Sequence, residues 1–190
     1  MIHELYKRIH SHYDMDGLVF GGGSMKSGIL LIGEAPGKDE VKQGRPFVGQ
    51  AGKNLDGFLD ILGLPREDIY ITNVCKFRPC KTSEKGTVSN RPPTQKEITE
   101  AIPFLQEEIG ILQPKTIVTL GNTPLRAVLD DKSASIGVFH GKTTQTQVGG
   151  QAYRLFALYH PASIIYNRSL KEVYEKDLYA LKSALCPATQ

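Results

Sequence analysis

Apolar residues in this chain follow two patterns: short unbroken runs, and longer stretches in which they recur every three or four positions. The runs read as buried strands and the stretches as amphipathic helices. Gly28 to Ile32 predicts a short buried strand built on Ile29-Leu30-Leu31-Ile32. Ile69 to Val74 and Thr116 to Leu120 are β-branched and strand-like. Residues 142–149 and 152–159 pair as a hairpin turning at Gly149-Gly150. Leu55, Phe58, Leu59 and Leu62 predict a helix over Ala51 to Leu62, stopped by Gly63. Thr94, with Glu97 at capping-box spacing, starts a helix over 95–112. Asn122 to Leu129 is helical, with Pro124 tolerable in its first turn. Residues 2–9 and Ser169 to Leu185 complete the helices. Asp14 to Gly28 is a Gly-rich loop, and Thr82 to Pro93 is a polar loop broken by Gly86 and Pro92-Pro93.

Strands alternating with helices imply a layered α/β domain with a mostly parallel sheet and an antiparallel piece near 143–148. With no repeat and no low-complexity segment, residues 1–190 read as a single domain. Function in such a sheet sits beyond the carboxyl ends of the strands. Glu34, Asn73 and His160 each end a predicted strand or follow one, so all three are expected in one site.

Composition changes this picture little. The net charge of +3 permits a polyanionic partner without requiring one. No apolar run approaches the ~20 residues of a membrane span, and Met1 to His12 lacks a signal-peptide core, so a cytoplasmic protein without membrane attachment is expected. The three cysteines, Cys75, Cys80 and Cys186, form no CxxC and exclude a disulfide framework and a four-ligand metal site.

Glu34 and Glu40 flank the loop Gly33-Glu34-Ala35-Pro36-Gly37. A carboxylate there can orient water towards a sugar carbon and stabilise an oxocarbenium-like centre; equally, Glu34 can cap backbone amides and Glu40 can be a solvated loop charge. Phe47 lies in the glycine-flanked block Gly44-Arg45-Pro46-Phe47-Val48-Gly49-Gln50-Ala51-Gly52, where a planar ligand can approach its ring, although a buried Phe is also ordinary core. Asn73 is either a turn former or a reader of a planar ligand's edge, since its carbonyl can accept while its amide donates beside it. His160 is fixed by Pro161 at a strand end. Lys76, Arg78, Arg91 and Arg168, with Lys53 behind them, are candidate phosphate contacts.

These blocks, with Tyr159-His160-Pro161-Ala162-Ser163, resemble the uracil-DNA glycosylase superfamily, and family 4 within it. Thr72-Asn73-Val74, Lys76, Arg78-Pro79, Asn90-Arg91 and Pro93, Pro114-Lys115, and Asn167-Arg168 also match family patterns, so the resemblance covers nearly the whole chain. It implies a three-layer α/β/α sandwich and a monomeric enzyme that flips uracil out of single- or double-stranded DNA and hydrolyses its N-glycosidic bond. It implies that Glu34, and Glu40 beside it, act on water, that His160 stabilises the leaving base, that Phe47 stacks on it and that Asn73 reads it, with Gly33 and Ala35 shaping the pocket. Asn90 and Ser163 join the DNA-binding set. Ile164 and Ile165 occupy the segment that forms an apolar wedge in relatives; core packing is the alternative. Excision of hypoxanthine or xanthine, or damaged-DNA binding without catalysis, are the other functions such a chain could have.

One departure concerns the cofactor. Family 4 enzymes hold an iron–sulfur cluster on four cysteines, two of them in an N-terminal CxxC. Here residues 8–20 contain no cysteine, Phe77 stands at the third position and Ala101 at the fourth. Such clusters require thiolates, so no cluster, no metal and no other cofactor is expected.

Overall fold

A computed structural model describes residues 1–163, 167 and 169–185. Its strands are β1 (Gly22–Gly23), β2 (Ile29–Gly33), β3 (Tyr70–Asn73), β4 (Cys80–Thr82), β5 (Val88–Asn90), β6 (Thr116–Leu120), β7 (Thr143–Val148) and β8 (Gln151–Leu158). Its helices are α1 (Ile2–Tyr13), α2 (Lys38–Gln43), α3 (Gln50–Leu62), α4 (Gln95–Leu112), α5 (Asn122–Leu129), α6 (Ile136–Phe139) and α7 (Leu170–Leu185). The main sheet runs β1-β3-β2-β6-β8-β7. Its four inner strands are parallel, and the two edges, β1 and β7, pair antiparallel.

Period-two alternation divides the core into two layers. Leu30, Ile32, Ile117, Leu155 and Ala157 face α4 and α5, where Ala101, Leu105, Ile109, Leu125 and Val128 close the layer. Ile29, Leu31, Val118, Phe156 and Leu158 face α3 and α7, where Leu55, Leu59, Tyr174, Leu178 and Leu181 close it. The result is the expected three-layer α/β/α sandwich with helices on both faces. The chain leaves β2 for β3 on one side and then crosses to β6 on the other. This topological switch makes the carboxyl ends of β2, β3 and β6 the natural mouth of a site.

Three local features depart from the sequence reading. The first helix runs on to Tyr13, because the Tyr13 ring packs on Phe77 and Phe104. The glycine loop before β2 contributes β1. The polar loop contains the hairpin β4–β5, closed by Ser83 and Thr87 around Gly86 in left-handed backbone. Both hairpin strands are exposed on each face and carry no apolar alternation to read.

Helix α4 begins with the predicted capping box: Thr94 Oγ1 accepts from Glu97 N at 3.3 Å, and Glu97 Oε2 accepts from Thr94 N at 2.6 Å. Arg91 adds a bidentate pair to the same carboxylate, at 2.7 and 2.6 Å. The Arg91 guanidinium, helped by Thr94, pulls the Glu97 carboxyl down from its ordinary 4.5 to about 2. A depressed carboxylate stabilises the fold above its unfolded pKa and ceases to do so as pH falls through its folded value. The Tm difference between wild type and Glu97→Gln, followed by thermal melts across acid pH, should therefore be constant above about 4.5 and vanish near about 2.

Candidate active site

Strand register builds the site. Gly33 of β2 is paired with Asn73 of β3. The ladder continues past both strands through Val74 N to Gly33 O (2.9 Å) and Cys75 N to Glu34 O (3.0 Å). Asn73 is 2% exposed, yet its side-chain amide makes no hydrogen bond to any described residue and faces a cavity. A Cβ at Gly33 would lie 2.3 Å from Asn73 Oδ1 and 2.6 Å from the Phe47 ring, so glycine is required for ring and amide to meet there. Phe47 itself has φ 53°, a left-handed backbone costing roughly 1–3 kcal/mol for a non-glycine residue. Arg66 holds it there, donating to the carbonyls of Pro46 (3.0 Å) and Phe47 (2.6 Å) while pairing with Asp56. Gly52 passes beneath, where a Cβ would lie 1.9 Å from the Phe47 carbonyl oxygen.

His160 follows β8, and its ring centroid lies 6.0 Å from that of Phe47. Its Nδ1 accepts from Ala162 N at 3.2 Å, so in the neutral ring the proton sits on Nε2. Burial lowers its pKa, partly opposed by the Glu40 charge, and neutral imidazole is the form at physiological pH. Asn54 of α3 steadies the next residue by donating to the Pro161 carbonyl.

The two carboxylates have separate tasks. Glu34 Oε2 accepts from Thr123 Oγ1 at 2.5 Å, leaving Oε1 without a partner among the described residues. Glu40 spends both oxygens on backbone amides, Gly37 N at 3.1 Å and Gly49 N at 2.9 Å. Glu40 is therefore not a solvated loop charge: it staples the Gly33–Gly37 loop to the Phe47 loop.

Two adjoining cavities share Ala35, Gly37, Asn90 and His160 and form one cleft. The part containing Phe47, Asn73 and Glu40 measures about 320 Å³, and the part containing Glu34, Gly121 and Ser163 about 360 Å³. A larger cavity of about 650 Å³ lies behind Phe47, between Arg45, Lys53 and Asp56. It holds neither Asn73 nor His160 and faces no inner strand's carboxyl end, so the chemistry belongs to the cleft.

The expected DNA contacts divide. Arg78 donates through Nε to Asn90 Oδ1 at 2.6 Å, which orients Asn90 at the cleft rim and leaves the Arg78 Nη groups without partners among the described residues. Arg91 lines the cleft but uses its donors on Glu97, Cys80 O and Pro92 O. Ser163 lines the cleft, its N–H bonded to His160 O. Lys53 borders the larger cavity. Ile164, Ile165 and Arg168 lie outside the described residues. Lys76 requires a correction: it is 2% exposed and its ammonium is spent on Thr72, Asn73 O and Glu108, so it cannot reach a phosphate. Sequence reasoning missed Thr123, Asn54, Arg66 and Glu108. For Glu108 a signal existed, since a carboxylate stands on the buried stripe of α4 between Leu105 and Ile109; the others look like ordinary surface residues.

The resemblance to family 4 implies an iron–sulfur cluster on four cysteines, and the residues at those positions do not fit one. Phe77 and Ala101 are buried in one apolar cluster with Cys75. Tyr13 packs on Phe77 at 5.2 Å, and His12 on Phe104 at 5.1 Å. Burial pushes the Cys75 thiol up to about 12, so it stays protonated and is a poor ligand. Among the described residues no group of three or more His, Cys, Asp or Glu side chains could hold a metal ion. No helix among them is long and apolar enough to cross a membrane.

Comparison with known proteins shows the family. Residues 20–182 match the family model described as the uracil DNA glycosylase superfamily. The chain belongs to this superfamily. The type-4 uracil-DNA glycosylase of Saccharolobus solfataricus is 40% identical over 169 residues, 87% of this chain and 74% of that one. The type-4 uracil-DNA glycosylase of Pyrobaculum aerophilum is 37% identical over 183 residues, 93% and 89% of the two chains. The crystal structure of Pedobacter heparinus SMUG2 shares the fold, with TM-score 0.53 at 16% identity over 85% of this chain and 76% of that one.

For this superfamily member the His160 geometry is directly measurable. Nitrogen-detected NMR should show the neutral ring protonated at Nε2 and titrating below its ordinary 6.5. A midpoint above that value, or an Nδ1–H tautomer, would contradict the site as described.

Proposed function

We propose that this protein is a monofunctional uracil-DNA glycosylase working without an iron–sulfur cluster or another metal. The observation that carries the reading is the Asn73 amide, without a hydrogen-bond partner among the described residues, in one cavity with the Phe47 ring and His160. A base that displaces water from the cavity must supply the partners this amide then lacks. A uracil edge does so, since Oδ1 accepts from N3–H and Nδ2 donates to O4. Cytosine reverses both and leaves two pairs unmade, which is the larger source of discrimination. The type-4 relatives support the same substrate.

Arg78, with Asn90 at the cleft rim, contacts phosphate, and the nucleotide swings out of the stack into the cleft. Phe47 stacks on the base, an interaction worth roughly 1–3 kcal/mol. The N1–C1′ bond breaks with its electron pair moving onto the base, and the charge gathers on O2, where the neutral His160 Nε2–H donates. Glu34, steadied by Thr123, orients water with its unpartnered oxygen and takes the water proton as the new C1′–O bond forms. That proton ends on the released uracil. No lysine is assigned as a nucleophile, so the abasic strand stays intact. One copy of the chain supplies every residue of this scheme.

Single-turnover assays on single-stranded and duplex oligonucleotides carrying uracil, hypoxanthine, xanthine or thymine, followed by alkali, test the proposal. Uracil should be released selectively. His160→Ala should slow release roughly 10²–10³-fold, as loss of one donor to a developing anion does elsewhere. Asn73→Ala should erase the base preference. Release of hypoxanthine in place of uracil overturns the substrate, and binding without release of any base overturns the enzyme.

A further inference from the structure

The ion pair Lys76–Glu108 lies under the base-reading residue, with exposures of 2% and 0%. Lys76 Nζ uses all three protons: Thr72 Oγ1 at 2.7 Å, Glu108 Oε2 at 2.6 Å and the Asn73 carbonyl at 2.6 Å. Glu108 also accepts from Thr72 Oγ1 at 3.1 Å and from the Tyr6 hydroxyl at 2.6 Å, and Tyr6 meets the Tyr70 hydroxyl at 2.7 Å. One consistent set of proton positions runs through it: Tyr70 to Tyr6, Tyr6 to Glu108, Thr72 to Glu108, Lys76 to all three acceptors. The segment before β2 closes it from water. Val19 N bonds to Lys76 O at 2.7 Å, and Gly21 passes so near that a Cβ would lie 2.7 Å from Glu108 Oε1.

Stability alone does not account for this arrangement. Replacing a buried ion pair by apolar residues of similar volume is often neutral or stabilising. A fully satisfied buried network does, however, hold its members in one geometry. Thr72 and Asn73 are consecutive strand residues, so their side chains leave opposite faces of the sheet. Thr72 points into the network and Asn73 towards Phe47. Lys76 folds back to grip the carbonyl of Asn73 from the network side. We infer that the Lys76–Glu108 network, with Thr72 and Tyr6, is a positioning device that fixes the Asn73 backbone and thereby aims its amide at the base. This rests on the reading of Asn73 given under Proposed function. Lys76 and Glu108 are positioning residues, since neither touches the substrate.

The test is the double variant Lys76→Met/Glu108→Leu, which removes both charges while keeping volume. It should remain folded, with a Tm lowered only by the Thr72 hydroxyl and Asn73 carbonyl left without their network partners. Its affinity for uracil-containing DNA should hold, while its single-turnover rate at saturating DNA falls roughly tenfold or more and its preference for uracil over cytosine weakens. The Asn73 side-chain NH₂ signals, sharp in wild type, should shift and broaden. A folded double variant with wild-type rate, preference and Asn73 signals would overturn the inference. Should the double variant not fold, Tyr6→Phe removes one outer donor to Glu108. It should shift the Asn73 signals and slow release at unchanged DNA affinity, and wild-type values for both would again overturn it. A wild-type protein that releases no uracil refutes only the glycosylase reading, and the Asn73 signals then decide the positioning role alone.

Discussion

The site depends on a missing atom. At Gly33 a Cβ would collide with the Asn73 amide and the Phe47 ring together, and only its absence lets an aromatic face and a polar amide converge on one strand end. The surrounding contacts preserve that convergence. Register places Gly33 beside Asn73. Arg66 holds the left-handed Phe47 from behind, and Glu40 ties the two loops together through their amides. Loops alone position side chains loosely; these are fastened by hydrogen bonds to backbone, which costs little side-chain freedom and fixes the reactive geometry.

The segment that follows Asn73 is secured from two directions by different physics. Lys76 enters a buried polar network, and Phe77 enters an aromatic cluster with Tyr13 and Phe104. Both anchors reach α1, through Tyr6 and Tyr13. Apolar packing thus occupies the positions at which the resemblance to family 4 implies cluster cysteines: Phe77 and Ala101 lie buried in one apolar cluster. The N-terminal helix is thereby coupled to Asn73 at the cleft.

Much of this was legible in advance. The apolar runs at Ile29–Ile32 and Thr116–Leu120 and the helical spacing of Leu55 and Leu59 mark buried elements, because burial on a strand or helix face imposes a period. The β4–β5 hairpin carried no such mark, since both its faces meet solvent. Lys76 read as a surface charge because residue type predicts exposure on average, and its partner Glu108 is 32 residues away. Glu40 read as a possible actor on water; two backbone amides from different loops claim it.

By itself, then, the sequence determined the order of elements, the layered fold and the three strand-end residues Glu34, Asn73 and His160, because each is a local pattern read against a short stretch of chain. The tertiary structure decided which charges are buried and which carboxylate is bound to two loop amides. It also decided which nitrogen of His160 bears the proton. Those properties arise from partners distant in sequence, and no local pattern encodes which distant groups will meet.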